Sequence, residues 1–503
     1  LDSYNALVAR LAEIGHLNNA SAVLGWDQQC YMPPGGAAER AESFAVLGKI
    51  SHELFVSDET RRLLEAAEGE VASLDSESDE ALTLRVVRRD FDKSVKLPTP
   101  LVAEIGKATA LAHEIWVKAR AENDWKQFAP TLDHLLDLSR QVATHYGYDE
   151  ANGGQMYDAL LDQYEPGMKT AEVERVFNDL RPGLVELVQA IAAATPGDDT
   201  PLRRDFDPVA QKAFGEEVIR KMGFDFTRGR QDVAVHPFCT SFGRSDVRIT
   251  TRFDKNWLPC ALMGTIHETG HALYEQGFDP KDDYTPLSGA ASLGFHESQS
   301  RLWENIVGRS RGFWNVYYPD LKKHFPGVLD DTSVDTFYKA INKVEPSLIR
   351  VEADEVTYSL HIMLRFELEK AMLSGAVSVN DVPEAWNEKM RDYLGVVPDT
   401  DADGCLQDVH WSGASFGYFP TYALGTMLSA QLYDKALSDN PAIATDLANG
   451  EFTSLLSWLR ENVHKPGRRY LPAELVQRVC GEPAQSRSYL NYLNTKFRDV
   501  YGL

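Results

Sequence analysis

Pro259-Cys260-Ala261-Leu262-Met263-Gly264-Thr265-Ile266-His267-Glu268-Thr269-Gly270-His271-Ala272-Leu273-Tyr274-Glu275-Gln276-Gly277 is the run on which the reading of this chain turns. A proline opens it and a glycine closes it, the punctuation of a helix, so a helix is expected over about residues 260–276. Within it His267 and His271 stand at i and i+4, one above the other on a helical face, which lets two imidazoles close on one ion. Glu268, one position along, is placed to draw a proton from an attacking water, and a zinc ion brings the pKa of water from roughly 15.7 towards about 7. The plainer reading is a pair of core or surface histidines, and the apolar, well-bounded helix argues against it.

Two histidines are too few, because a catalytic zinc usually has three protein ligands and an open position. The HExxHxxGxxH continuation is absent, since Gly277 is followed by Phe278 and no histidine pattern. A second run, Leu293-Gly294-Phe295-His296-Glu297-Ser298-Gln299-Ser300-Arg301-Leu302-Trp303-Glu304-Asn305-Ile306-Val307, offers a glutamate 26 positions after His271 (297 − 271) at the head of an amphipathic stretch. A helix over about 293–309 is expected, with Glu297 as the natural third ligand. Glu304 and Glu275 are alternatives, each more simply explained as a solvated carboxylate on a helix face. The sequence names no outer hydrogen-bond partner for either imidazole.

Helical spacing extends outward from these runs, as in Tyr4, Leu7, Val8, Leu11 and Ile14, or Leu132, Leu135, Leu136 and Leu138. Strand-like alternation is confined to about Asp232 to Phe253, where Val233, Val235 and Phe238, then Val247, Ile249 and Thr251, flank a Phe242-Gly243-Arg244-Ser245 turn. A small antiparallel ribbon is expected there. Turn-rich interruptions fall at Pro33 to Ala37, Thr195 to Pro201, Asp279 to Pro286 and Val397 to Gly417. No fixed-period repeat or compositional break divides the chain, which favours one large, mainly α domain over residues 1–503, lobed about a cleft.

With 503 residues, 43% of them hydrophobic, the chain can bury a large core. A net charge of -24 and a pI near 5.0 disfavour nucleic acid and anionic membrane as partners, since both would be repelled over most of the surface. Cys30, Cys239, Cys260, Cys405 and Cys480 are scattered, odd in number and never in a CxxC pair, so neither a disulfide framework nor a thiolate zinc site is expected. No stretch approaches the roughly 18 apolar residues of a membrane span, and Leu1 to Ala20 reads as an amphipathic helix rather than a signal peptide. The cytoplasm is the expected compartment.

Six motifs, His236-Pro237-Phe238, Asp246-Val247-Arg248-Ile249-Thr250, His267-Glu268-Thr269-Gly270-His271, His296-Glu297-Ser298-Gln299, Ile349-Arg350-Val351-Glu352-Ala353-Asp354 and Gly404-Cys405-Leu406-Gln407-Asp408-Val409-His410-Trp411, together resemble the M32 metallocarboxypeptidases, the carboxypeptidase Taq family. Leu24-Gly25-Trp26-Asp27 and Met32-Pro33-Pro34-Gly35-Gly36 extend the resemblance over essentially the whole chain. It implies a helical, saddle-like molecule of the neurolysin-like, gluzincin architecture with a deep central groove, usually a homodimer. The implied activity removes single C-terminal residues of broad type, proline excepted, from peptides. The resemblance assigns His267, His271 and Glu297 to the metal and Glu268 to the general base, as the spacing does, with zinc as the default ion and cobalt able to substitute.

A carboxypeptidase must hold a free carboxylate, and a guanidinium matches its two oxygens. Arg350 and Arg248 are the motif arginines, although Asp354 at i+4 on an expected helix and Asp246 beside the turn would each explain one of them as a local ion pair. Tyr418 and Tyr422 are candidates, by resemblance to related glutamate-zincins, for donors to the developing oxyanion. His410, in a loop of polar and small residues, is expected to contact substrate. His236 could donate to a substrate carbonyl or anchor the ribbon, and His296 could orient Glu297 or cap its helix. The rivals to a carboxypeptidase are an endopeptidase or dipeptidase with the same metal centre and a non-catalytic, metal-stabilised binding protein; a free carboxylate at Glu268 speaks against the last.

Overall fold

Helical periodicity is realised along most of the computed structural model, which describes residues 1–503. Helices Asp2–Cys30, Ala37–Phe55, Asp58–Val71 and Asp79–Lys96 open the chain. Ser57 and Ser78 cap the third and fourth of these by accepting from the Thr60 and Ala81 backbone N–H groups. Leu7, Leu64, Ala67, Val71, Leu84, Val87 and Phe91 from the first, third and fourth helices meet in a small apolar cluster of their own. A far larger cluster of 99 buried residues runs from Leu101 to Val500. At about 1.5–3 kcal/mol for each large apolar side chain buried, that second cluster dominates the stability.

The sheet has three strands, β1 (Gly229–Val233), β2 (Cys239–Ser241) and β3 (Val247–Thr251), in the order β1-β3-β2. β2 and β3 form the expected antiparallel pair across the Phe242 to Ser245 turn, with Cys239 opposite Ile249. β1 adds to the other edge of β3 and runs parallel to it, Gly229 opposite Val247, so the ribbon is the hairpin half of a mixed sheet. Val233 and Val235, members of the expected alternation, are exposed, while Gln231 and Asp232 are buried. A parallel neighbour needs no tight turn and leaves no local signal of itself. β3 is the central strand, and Val247 and Ile249 are fully buried on it.

The HExxH helix, Leu258–Glu275, lies on this sheet: Gln231 Nε2 donates to Thr265 Oγ1 at 2.7 Å and Thr251 Oγ1 to the Ala261 carbonyl at 3.2 Å. The helix of the third ligand candidate spans Leu293–Arg301, and the expected continuation to residue 309 is instead a π-helical turn, Leu302–Val307. Ser292 caps its start, and the buried Glu165 accepts from the Gly294 N–H. Two glycines allow close approach here. A Cβ at Gly270 would stand 2.6 Å from the Gln299 carbonyl oxygen, and one at Gly425, on helix Pro420–Asp439, would stand 2.6 Å from Glu297 Cβ. The helix bearing Glu297 is thereby pressed between the other two at backbone distance.

Candidate metal centre and active site

The HExxH helix and the Leu293–Arg301 helix bring His267, His271 and Glu297 together, with one ligand atom from each within 4.8 Å of the others. His267 Nε2 and His271 Nε2 lie 3.7 and 3.6 Å from Glu297 Oε2. In a tetrahedral site with bonds of about 2.0–2.2 Å, ligand atoms stand roughly 3.3–3.6 Å apart, so the spacing and the N, N, O donor set fit a zinc-type ion. The outer ring nitrogens are occupied. His267 Nδ1 meets Glu304 Oε2 at 2.8 Å, and His271 Nδ1 meets His296 Nδ1 at 2.6 Å. Arg301 Nε donates to Glu297 Oε1 at 2.6 Å, which turns Oε2 towards the two imidazoles.

Two carboxylates and one histidine change role here. Glu304 is no solvated helix-face group: it is buried and accepts from His267, Arg301 and Arg309. Burial raises its pKa, but Arg301 and His267 outweigh that and hold it below the usual carboxylate range. Glu275 is also engaged, accepting from His296 Nε2 at 2.8 Å and from Ser241 Oγ at 2.6 Å. His296 therefore neither orients Glu297 nor caps its helix; it backs His271. A metal-ligating histidine held this way has its tautomer and ring orientation fixed. Glu304→Gln is accordingly expected to lower metal affinity about 10–100-fold, read by competition with a chromophoric chelator. An unchanged affinity would remove Glu304 from that role.

Glu268 lies on the same helical turn as His267 and His271, buried, with no hydrogen bond or ion pair to the rest of the protein. Burial, opposed in part by His267, pushes its carboxyl up to about 7. A cavity of about 800 Å³ between the first two helices, the Phe242 to Asp246 turn and the Asp283 to Ser288 segment reaches Glu275, one helical turn beyond His271.

On the other side of the cluster Arg350 is buried, in a short 3₁₀ turn rather than on a helix with Asp354. Asp354 is occupied by the backbone N–H groups of Glu345, Val356 and Thr357, so the alternative Arg350–Asp354 pair does not form. Arg350 instead donates through Nε to Asp408 Oδ1 at 2.9 Å and through Nη1 to the Tyr358 hydroxyl at 3.1 Å. Asp408 also receives Arg365 Nε at 2.6 Å. His410 Nε2 lies 3.2 Å from the Tyr422 hydroxyl, and the Tyr418 and Tyr422 rings are neighbours at 5.3 Å. Burial brings the His410 imidazole down to about 4, although Asp408 opposes the shift. The ring is thus neutral near pH 7. Tyr164, which the sequence did not single out, packs edge-on to Tyr418 at 5.0 Å.

Arg248 and His236 are not brought into this shell. The Arg248 guanidinium pairs with Asp246 at 2.8 Å and lies over the Trp26 ring at 4.2 Å and the Phe242 ring at 4.9 Å. His236 is exposed in the bend between β1 and β2. Neither touches the metal cluster or Arg350.

Residues 6–497 match the family model of the carboxypeptidase Taq (M32) metallopeptidases. The chain is 42% identical over 507 residues to thermostable carboxypeptidase 1 of Thermus thermophilus, covering 99% of each chain. It is 39% identical to carboxypeptidase 1 of Bacillus subtilis, covering 98% of this chain and 97% of that one. The fold superposes on an M32 carboxypeptidase from Deinococcus radiodurans with a TM-score of 0.96 at 41% identity, over the full length of both. No helix is long and apolar enough to cross a membrane. With His267, His271 and Glu297 gathered as a candidate metal site and a family match over nearly its whole length, the chain belongs to the M32, or carboxypeptidase Taq, family of metallopeptidases and is a metallocarboxypeptidase, a peptide hydrolase.

Proposed function

We propose that the protein is a zinc-dependent carboxypeptidase that releases single C-terminal residues, of broad type but not proline, from peptides with a free C-terminus. One observation carries the exopeptidase part: a buried guanidinium, Arg350, is fixed over the Tyr422 ring at 5.1 Å and bonded to Tyr358, whose ring also carries Arg301, the partner of Glu297. His267, His271 and Glu297 hold the ion, which when bound polarises the scissile carbonyl and brings water towards ionisation at neutral pH. Glu268 accepts the proton of the attacking water and passes it to the leaving amine. Tyr418 and Tyr422 donate to the oxygen on which charge develops.

Arg350 takes the substrate carboxylate. Its guanidinium carries five N–H donors, and Asp408 and Tyr358 leave the outer Nη protons free for a paired contact. His410 contributes by setting the Tyr422 hydroxyl. The clamp is given to Arg350 rather than Arg248 because Arg350 lies in the tyrosine shell, whereas Arg248 is stacked on Trp26. Family resemblance supports the broad preference, the exclusion of proline, cobalt as a substitute ion and a homodimer. The acidic surface and the absence of a membrane-spanning helix fit a cytoplasmic protein, and the match of residues 6–497 to one family model supports one peptidase domain over residues 1–503.

Mass spectrometry of an unmodified peptide and its C-terminally amidated twin tests this, each incubated with zinc-loaded and with chelated protein. Stepwise loss of single residues from the free peptide alone, abolished by chelation, is the expected result. Internal cuts in both peptides would make it an endopeptidase.

A further inference from the structure

We infer that Tyr358 is a positioning residue that ties the carboxylate clamp to the shell of the metal ligands, and so helps the enzyme to prefer a free C-terminus. The inference deepens the carboxypeptidase reading and rests on Arg350 being the clamp. Tyr358 is the first residue of helix Tyr358–Ser374 and is 5% exposed. It touches three functional groups at once. Arg301, whose Nε holds Glu297 Oε1, lies over its ring at 4.3 Å. Its hydroxyl accepts from Arg350 Nη1 at 3.1 Å. Its ring meets that of Tyr422 edge-on, with centroids 6.3 Å apart and planes at 88°.

Glu297, Arg301, Tyr358, Arg350 and Asp408 therefore form an unbroken line of contacts from a metal ligand to the anchor of the clamp. Every other link in that line is a flexible guanidinium or a carboxylate. Tyr358 is the rigid member, with two side-chain torsions and a planar ring that cannot shorten. In a carboxypeptidase the terminal carboxylate must sit one residue, about 3.3–3.6 Å of chain, beyond the scissile carbonyl. A strut of fixed length between the two ends of the site holds that spacing. A buried tyrosine is ordinarily a core residue with a bonded hydroxyl. What sets this one apart is that the hydroxyl binds the clamp while the ring face binds the arginine of the metal ligand.

Two variants separate the ends of the strut. Tyr358→Phe keeps the ring beneath Arg301 and deletes only the hydroxyl. With free peptide its KM is expected to rise about tenfold, with kcat within about twofold of wild type and zinc content unchanged, in line with loss of one hydrogen bond from a charged group. Slow cleavage of the amidated twin, where present, should not change, so the discrimination between free and amidated ends falls. Tyr358→Leu removes the ring as well and should add a loss of zinc affinity, read by chelator competition. A wild-type KM in Tyr358→Phe, or equal losses on free and amidated peptides, would overturn the inference while leaving the carboxypeptidase reading intact. Equal cleavage of both peptides by the wild-type protein would sink that reading and this inference with it.

Discussion

Glu268→Gln is expected to keep its metal and to lose about 10²–10⁴-fold in kcat, the span attributed to a positioned acid–base group. The expectation comes from what surrounds the side chain. Glu297, Glu304 and Glu275 are each tied down by hydrogen bonds, whereas Glu268 is buried beside His267 and His271 and bonded to nothing in the protein. A buried carboxylate with no partner is costly, and a structural zinc site has no use for one. The amide is nearly isosteric and cannot accept the proton, so folding and metal binding should survive. Metal analysis by mass spectrometry alongside peptide turnover checks both halves. Near-normal turnover with full metal occupancy would place the base elsewhere.

Asp408→Ala should be the most damaging single change outside the metal centre. It leaves the Arg350 and Arg365 guanidiniums buried without their shared counter-ion, and breaking a buried pair from one side costs about 3–5 kcal/mol. Activity should fall with it, because Asp408 fixes the edge of Arg350 opposite the substrate. The pH dependence follows from the sign of the shift. Burial raises the Asp408 pKa, but Arg350 and Arg365 more than reverse this and hold the carboxyl below its ordinary value. Its contribution is therefore complete above the unfolded pKa of about 3.9 and is lost only as pH falls through the lower folded value. Denaturant melts of wild type and variant should differ strongly at pH 7 and converge in strong acid. Equal midpoints at pH 7 would mean that the guanidiniums are balanced by other groups.

The parts of the site that could be read from sequence are those fixed by local geometry. His267, Glu268 and His271 are spaced by one helical turn, and Glu297 heads a run whose periodicity is plain. The same run held a further signal that went unused: Glu297, Arg301 and Glu304 recur at i, i+4 and i+7 and gather about His267, the two carboxylates buried and Arg301 half-buried. What could not be read was pairing at a distance. Arg350 meets Asp408 rather than the nearby Asp354 because a 3₁₀ turn replaces the expected helix and leaves Asp354 to cap backbone N–H groups. The parallel β1–β3 pairing was hidden for a related reason, since it joins strands with no turn between them. Arg248 is the opposite case, in which the local alternative holds. Its neighbour Asp246 was the correct partner, and the ring of Trp26, brought from the end of the first helix, completes its surroundings.

Helix glycines are favourite targets when a protein is hardened for industrial temperatures, because replacing one by alanine stiffens the unfolded chain and ordinarily gains about 0.4–1 kcal/mol. Gly270 and Gly425 invert that rule. A methyl group at either would drive into main-chain atoms or into Glu297 itself, so the helix carrying the ligand would have to back away from its neighbours. A thermostability screen that scores only folding could accept such a retreat and return a sturdier molecule with a spoiled metal centre. In this chain, selection for heat resistance at those two positions has to be run on loaded, working enzyme.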